Sequence, residues 1–242
     1  MTGFEMADLI RPAKQARSRL TRDRLLAAGR KLLNQGAFEA TSIGDIADVA
    51  DCSVGAFYQR FADKEAFFAA VVETVLADIA ADARQFATAE LLSKAAVELV
   101  LAECITFWIL TFRRHRGFIR TLMKKTLHVE EAWTPFREMG RVAVEPFVGL
   151  LAAKCGQTHS NSFRYRARAG FQIVIGVTLN ASLHRTVLLN LDSDELLSWA
   201  TEILRHCLFD ELPPALLAYG SGTRDRPRTL RRQPVARRSS AQ

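Results

Sequence analysis

The sequence predicts an all-α protein: an N-terminal three-helix unit of helix-turn-helix type, followed by a larger helical bundle. Three observations carry this. Between Ser42 and Phe68 three helix-start signals, Ser42, Ser53 and Asp63, follow one another around a turn of four residues. From Asp63 to about Phe86 a long Ala-rich stretch runs without Pro or Gly. The last two long segments, Ser162 to about Leu189 and Ser193 to about Phe209, carry wide apolar faces at helical spacing.

Taken in order, residues 1–20 hold Arg11, Lys14, Arg17 and Arg19 against two acids and read as a basic arm. An arm of this kind either tracks DNA, along the backbone or in a minor groove, or serves only to solubilise the chain. A first helix is expected from Arg22 to Gln35, capped by Thr21, with Leu25, Ala28, Leu32 and Leu33 turned inward and Gly36 as its stop. Ser42 and Asp45 form a capping box, which starts a second helix bearing Ile46, Ala47, Val49 and Ala50. Ala50-Asp51-Cys52-Ser53 breaks it, with Asp51 suited to a left-handed turn conformation. Ser53 caps the next helix, and Asp63 caps the one after.

Two short helices around such a turn have the geometry in which the second helix enters the major groove of DNA. At 100° per residue Phe57, Phe61, Val54 and Tyr58 share one side of that helix, and Gly55, Ala56, Gln59 and Arg60 the other. Gly55 and Ala56 are small enough for close approach to a groove floor, and the Ala56 methyl suits a thymine methyl. Gln59 and Arg60 reach base edges or phosphates, while Tyr58 offers a hydroxyl at the rim. Lys64 stands beside the free N–H groups of the following helix, a pairing that suits a phosphate. On shape alone, a solvated helix without a partner fits equally well.

From about Thr21 to Val72 the chain resembles the DNA-binding domain of TetR-type transcriptional repressors. The matching pieces are Gly36-Ala37-Phe38-Glu39-Ala40-Thr41-Ser42, Ile46-Ala47, the run Ser53 to Phe61, and Lys64-Glu65. The resemblance implies that Thr41, Ser42, Tyr58 and Lys64 hold phosphates and that Val54, Gly55, Ala56, Gln59 and Arg60 face the groove. It covers about a fifth of the chain closely; beyond it only length and helical character agree. Two positions depart from the family pattern: Asp51 where Gly is usual and Cys52 where Val is usual. What it implies is a homodimer on a palindromic operator, most often a repressor, released by a small apolar or amphipathic effector of unknown identity. The alternative is a protein of the same family without small-molecule control, acting through protein partners or chromosome binding.

The domain plan that follows is a basic arm at 1–20, a helix-turn-helix domain at 21–68, a ligand-binding and dimerisation bundle at 69–212, and an Arg-rich tail at 213–242 expected to be disordered. Between Leu91 and His115 lies the apolar run Ala95–Phe112, but Glu98 and Glu103 inside it favour a buried bundle helix over a membrane span. A short helix from Phe118 to Leu127 precedes a longer one from about Val129 to Lys154, interrupted or bent near Pro135 and Pro146. On the last two helices, Phe171, Ile175, Val177, Leu179 and Leu183 face one way, as do Leu196, Leu197, Trp199, Ile203, Leu204 and Leu208. Faces this broad suggest a four-helix dimer interface, the alternative being burial within the monomer alone. Trp108, Phe112, His115, Met123, His128, Trp133, Phe136 and Phe171 are candidate walls of an effector cavity, or else plain core.

The net charge of +7 sits at the two ends: +2 in residues 1–20 and, from seven Arg against Asp225, +6 in the tail. Residues 21–68 hold six basic and seven acidic side chains, so the DNA-binding unit itself is at −1. The four Cys are far apart and read as reduced thiols of a cytoplasmic protein. Five dispersed His, with no phosphate loop, nucleophile elbow or dinucleotide fingerprint, imply no metal, no cofactor and no catalytic residues.

Overall fold

The computed structural model describes residues 5–88, 95–126, 134–184 and 189–210, with backbone alone at 5–15, 17, 126 and 134–139. Among them every regular element is a helix: α1 (Glu5–Asn34), α2 (Ile43–Val49), α3 (Val54–Tyr58), α4 (Lys64–Ala87), α5 (Val97–Arg114), α6 (Arg116–Thr126), α7 (Thr134–Lys154), α8 (Asn161–Leu183) and α9 (Asp194–Phe209). The described residues up to Leu208 form one compact unit. The tail expected from 213 onwards lies outside the described residues.

Helix α1 corrects one expectation. It starts at Glu5, so Thr21 lies inside it and the basic segment is largely its first turns. Ala13 to Leu20 contains neither Gly nor Pro and is rich in strong helix formers, which lets the helix propagate past the expected cap. At its other end Gly36 takes φ +69°, Ala37 N–H bonds the Leu32 carbonyl at 3.0 Å, and Gly36 N–H bonds that of Leu33 at 3.0 Å. These two bonds close the helix with satisfied carbonyls.

Phe67 of α4 is the centre of the N-terminal core. Its ring lies 4.9 Å from Phe61, 5.2 Å from Phe57 and 6.0 Å from Phe38, centroid to centroid. Leu25, Leu33, Phe38, Ile46, Phe57 and Phe67 are all fully buried, each contributing roughly 1.5–3 kcal/mol of transfer free energy. The same apolar cluster continues along α4 through Val71, Val75 and Ile79 into the bundle, so α4 belongs to both halves.

In the bundle α4 packs along α7, α7 against α8, and α5 against both α7 and α8. Phe86, Phe107, Trp108, Phe147 and Phe171 form a linked aromatic cluster with neighbouring centroids 5.1–5.8 Å apart. The apolar run read from sequence is therefore a core helix; no described helix is long and apolar enough to cross a membrane. Helix α7 begins at Thr134 and continues through Pro146 to Lys154. Pro135 falls in its first turn, where a missing N–H leaves no helical bond unmade. Gly170 lets α8 approach α9: a Cβ there would meet Leu204 Cδ1 at 2.8 Å and Cys207 Cβ at 3.1 Å.

Candidate nucleic-acid interface

The turn between α2 and α3 is closed by local chemistry. Ser42 Oγ accepts from Asp45 N–H at 3.1 Å and donates to the Asp45 carboxylate at 2.6 Å, while Ser42 N–H donates to the same carboxylate at 2.9 Å. Those bonds from Ser42 hold the Asp45 carboxyl below the usual carboxylate range. After α2 the chain reverses through Asp51 at φ +51°, with Cys52 N–H on the Ala47 carbonyl at 3.0 Å and Asp51 N–H on that of Asp48 at 3.0 Å. This is the same closure as at Gly36, made by an Asp that tolerates the left-handed region. An ion pair from Arg24 of α1 to the Asp51 carboxylate ties the turn to the neighbouring helix. Ser53 Oγ then accepts from Ala56 N–H at 3.1 Å and opens α3, and Asp63 accepts from Ala66 N–H at 2.7 Å to open α4.

On α3 Phe57 is buried against Phe61 and Phe67, which fixes what the helix presents outward. Val54, Gly55, Tyr58 and Gln59 are exposed, and Ala56 is half-buried. Val54 and Tyr58 are exposed although the 100° reading puts them on the side of Phe57 and Phe61; the Tyr58 ring still meets that of Phe57 edge-on at 5.6 Å. Thr41 is half-buried and donates its hydroxyl to the Ala37 carbonyl at 2.8 Å, and Ser42 is engaged in its capping box.

Both cations of the predicted set are held by the protein. Arg60 donates to the Ala56 carbonyl at 2.6 Å and, across to α1, to the Ser18 carbonyl at 3.2 Å and hydroxyl at 3.3 Å. Lys64 Nζ donates to the Glu39 carbonyl at 2.9 Å and lies 5.2 Å above the Phe38 ring. These bonds brace the helix-turn-helix unit, and Ser18 is a partner that sequence reasoning missed. Forty-two positions separate it from Arg60, so no local pattern announces the pair.

In the helical half Trp108, Phe112, His115, Met123 and Phe171 are all buried. His128 and Trp133 lie outside the described residues, as does the side chain of Phe136. Trp108 Nε1 and His115 Nδ1 are buried polar atoms without a hydrogen-bond partner among the described residues. Burial pushes the His115 pKa down, and the neighbouring Arg114 and Arg30 add to this against weaker pulls from Asp82 and Asp78. No group of three or more His, Cys, Asp and Glu suited to a metal ion occurs among the described residues.

Residues 25–71 match the family described as bacterial regulatory proteins, tetR family. No curated protein matches the sequence. Solved structures share the fold at low identity. A candidate TetR-family transcriptional regulator of Mesorhizobium loti MAFF303099 is 18% identical, with 79% of this chain and 96% of that chain covered and a TM-score of 0.62. A tetR-family transcriptional regulator of Streptomyces coelicolor is 14% identical, over 85% and 83%, with a TM-score of 0.59. FadR of Bacillus subtilis, solved with stearoyl-CoA, is 14% identical, over 78% and 98%, with a TM-score of 0.55. These likenesses show an N-terminal helix-turn-helix followed by a helical bundle.

Proposed function

We propose that this chain, whose residues 25–71 carry a TetR-type DNA-binding domain, is a cytoplasmic, non-enzymatic transcriptional regulator. On this reading it binds a palindromic operator as a homodimer and leaves it when a small apolar or amphipathic molecule enters the helical half. The observation that carries the reading is the outward face of α3: Val54, Gly55, Tyr58 and Gln59 stand exposed on a helix anchored by Phe57 and capped by Ser53. Residues 21–68 then form the DNA-binding part and 69–212 the effector and dimerisation part, with the basic segments at 1–20 and 213–242 adding non-specific phosphate attraction. The unpartnered Trp108 Nε1 and His115 Nδ1 support an effector that brings polar atoms into an aromatic core. Stearoyl-CoA, the ligand of the FadR structure, is amphipathic and of the class proposed.

Substitution on α3 tests the groove assignment. Gln59→Ala is expected to change base preference at one or two positions per half-site, costing roughly 1–3 kcal/mol on the preferred duplex. Lys64→Ala is expected to weaken all sequences alike and to reduce the salt slope by about one. Quantitative footprinting across a salt series reads both, and two variants that bind like the parent would refute the assignment.

For the homodimer, the supporting observation is apolar surface left open on the last two helices. Tyr165 is 72% exposed, Trp199 61% and Ile173 49%, whereas Phe171, Leu196, Leu204 and Leu208 are buried within the chain. A two-fold pair of these faces would cover them and set two copies of α3 on successive half-sites. Trp199→Glu is expected to weaken association by about 2 kcal/mol or more, seen as monomer in sedimentation velocity. An unaltered sedimentation coefficient would place the interface elsewhere.

A further inference from the structure

Helix α6 connects the two halves through its own side chains. At its start Gly117 touches the end of α1 so closely that a Cβ would lie 1.9 Å from the Asn34 carbonyl oxygen. Arg116 grips the Asp192 carboxylate at 2.7 Å and 2.8 Å, in the loop between α8 and α9, and Arg113 at the end of α5 donates to the Leu191 carbonyl in the same loop at 2.8 Å. One turn on, Arg120 donates to the Ser182 carbonyl of α8 at 3.1 Å. Helix α6 is therefore tied to the end of α8 and to the loop that leads into α9.

The far end of α6 reaches the DNA-binding unit. Lys125 Nζ donates to both oxygens of Glu65, at 2.7 Å and 2.9 Å, lies 3.3 Å from Glu39 Oε1, and stands 4.7 Å from the centre of the Phe68 ring. Its side chain is 20% exposed. Burial disfavours its charge, but the Glu65 hydrogen bond and the charge of Glu39 outweigh this and raise its pKa. The two carboxylates are placed where they matter. Glu39 is two residues before Thr41 and its carbonyl holds Lys64; Glu65 follows Lys64 directly. The unit they belong to has one more acid than base over residues 21–68.

We propose that Lys125 is a charge switch: seated on Glu39 and Glu65 it neutralises two carboxylates beside the phosphate-contacting surface, and a shift of α6 unmasks them and repels DNA. This rests on the DNA-binding reading above and supplies its regulation. The helical half needs no contact with DNA to act. It only withdraws one cation from a pair of acids, and the charge change falls on the phosphate side of the interface, where affinity is most sensitive to it. Differential stability of the seated and withdrawn positions is then what an effector would bias.

The test uses the full chain and a fluorescein-labelled duplex of arbitrary sequence, about 30 base pairs or three helical turns long, read by anisotropy. Lys125→Met keeps the apolar stem over Phe68 and removes the charge. It is expected to bind about tenfold more weakly than the parent at about 50 mM salt, with the gap closing as salt is raised. Adding Glu39→Gln and Glu65→Gln to Lys125→Met is expected to restore parental affinity, since no carboxylate is left to unmask. A merely structural role for Lys125 predicts the opposite, because removing the remaining partners of a brace does not repair it. A triple variant as weak as Lys125→Met, or a Lys125→Met protein that binds like the parent, overturns the switch. Parental protein that fails to bind the duplex would instead overturn the DNA-binding reading itself.

Discussion

Phe57→Ala is expected to destabilise the protein by about 3–5 kcal/mol, the range for emptying a fully buried aromatic site. The ring is fully buried and meets those of Phe61 and Phe67 at 5.5 Å and 5.2 Å, so its loss removes a shared wall of the N-terminal core. Collapse of α3 into the space is resisted on one side by the Asp51 turn and on the other by Arg60, which is bonded to Ser18. Of the residues on α3 this is the one buried outright, and it holds the exposed face in position. Urea denaturation measures the loss, and binding of the labelled duplex should fall in parallel. A cost below about 1 kcal/mol would mean that α3 is held by its caps and not by the core.

Gly117→Ala is expected to have the second largest effect, roughly 1–3 kcal/mol of overpacking or more. The added carbon would sit 1.9 Å from Asn34 O, 2.5 Å from Asn34 C and 2.9 Å from Asn34 Cα. These are backbone atoms, which cannot rotate aside as the tip of a side chain does. Either α6 or the end of α1 must move by more than an ångström, and both are pinned elsewhere by Arg116–Asp192 and by the Gly36 closure. The readout is the denaturation midpoint at constant slope. A variant as stable as the parent would show that this contact is loose, and that α6 is coupled to the N-terminal unit mainly through Lys125 on Glu39 and Glu65.

The contrast between these two sites bears on what a sequence makes legible. Phe57 was visible as a core position from its spacing to Phe61, and the surrounding turn from Ser42, Asp45, Asp51 and Ser53. Nothing near Gly117 announces its role, because what its missing Cβ avoids lies eighty-odd positions earlier, in Asn34. The first helix shows a limit within local reasoning itself. Thr21 looked like a cap, yet helix-forming residues on both sides extended α1 to Glu5. A cap residue stabilises a helix end where the chain leaves the helix; it does not force the chain to do so.

The apolar faces of α8 and α9 divide in the same way. Their periodicity announced burial, but not what buries them. Phe171, Leu196, Leu204 and Leu208 are used up inside the chain, while Trp199, within the same predicted face, is left exposed. Ile173 and Tyr165, outside that predicted face, share its exposure. Helical spacing assigns a residue to a side of its own helix, and only the neighbours decide whether that side is covered.

By itself the sequence determined the starts of α2, α3 and α4, the left-handed turn at Asp51, the Phe57–Phe61 anchor and the likeness of residues 21–72 to a DNA-binding domain. All of these rest on residues within a few positions of one another, where bond geometry leaves the chain little choice. Tertiary structure alone decided that Arg60 reaches Ser18, that Arg24 pairs with Asp51, that α6 seats on Asn34 and that Lys125 sits on Glu39 and Glu65. Each of these joins positions twenty-seven to eighty-six apart. Their charges and backbones meet because the packed core of α1, α4 and α7 brings the helices together, and no local preference of either partner encodes the meeting.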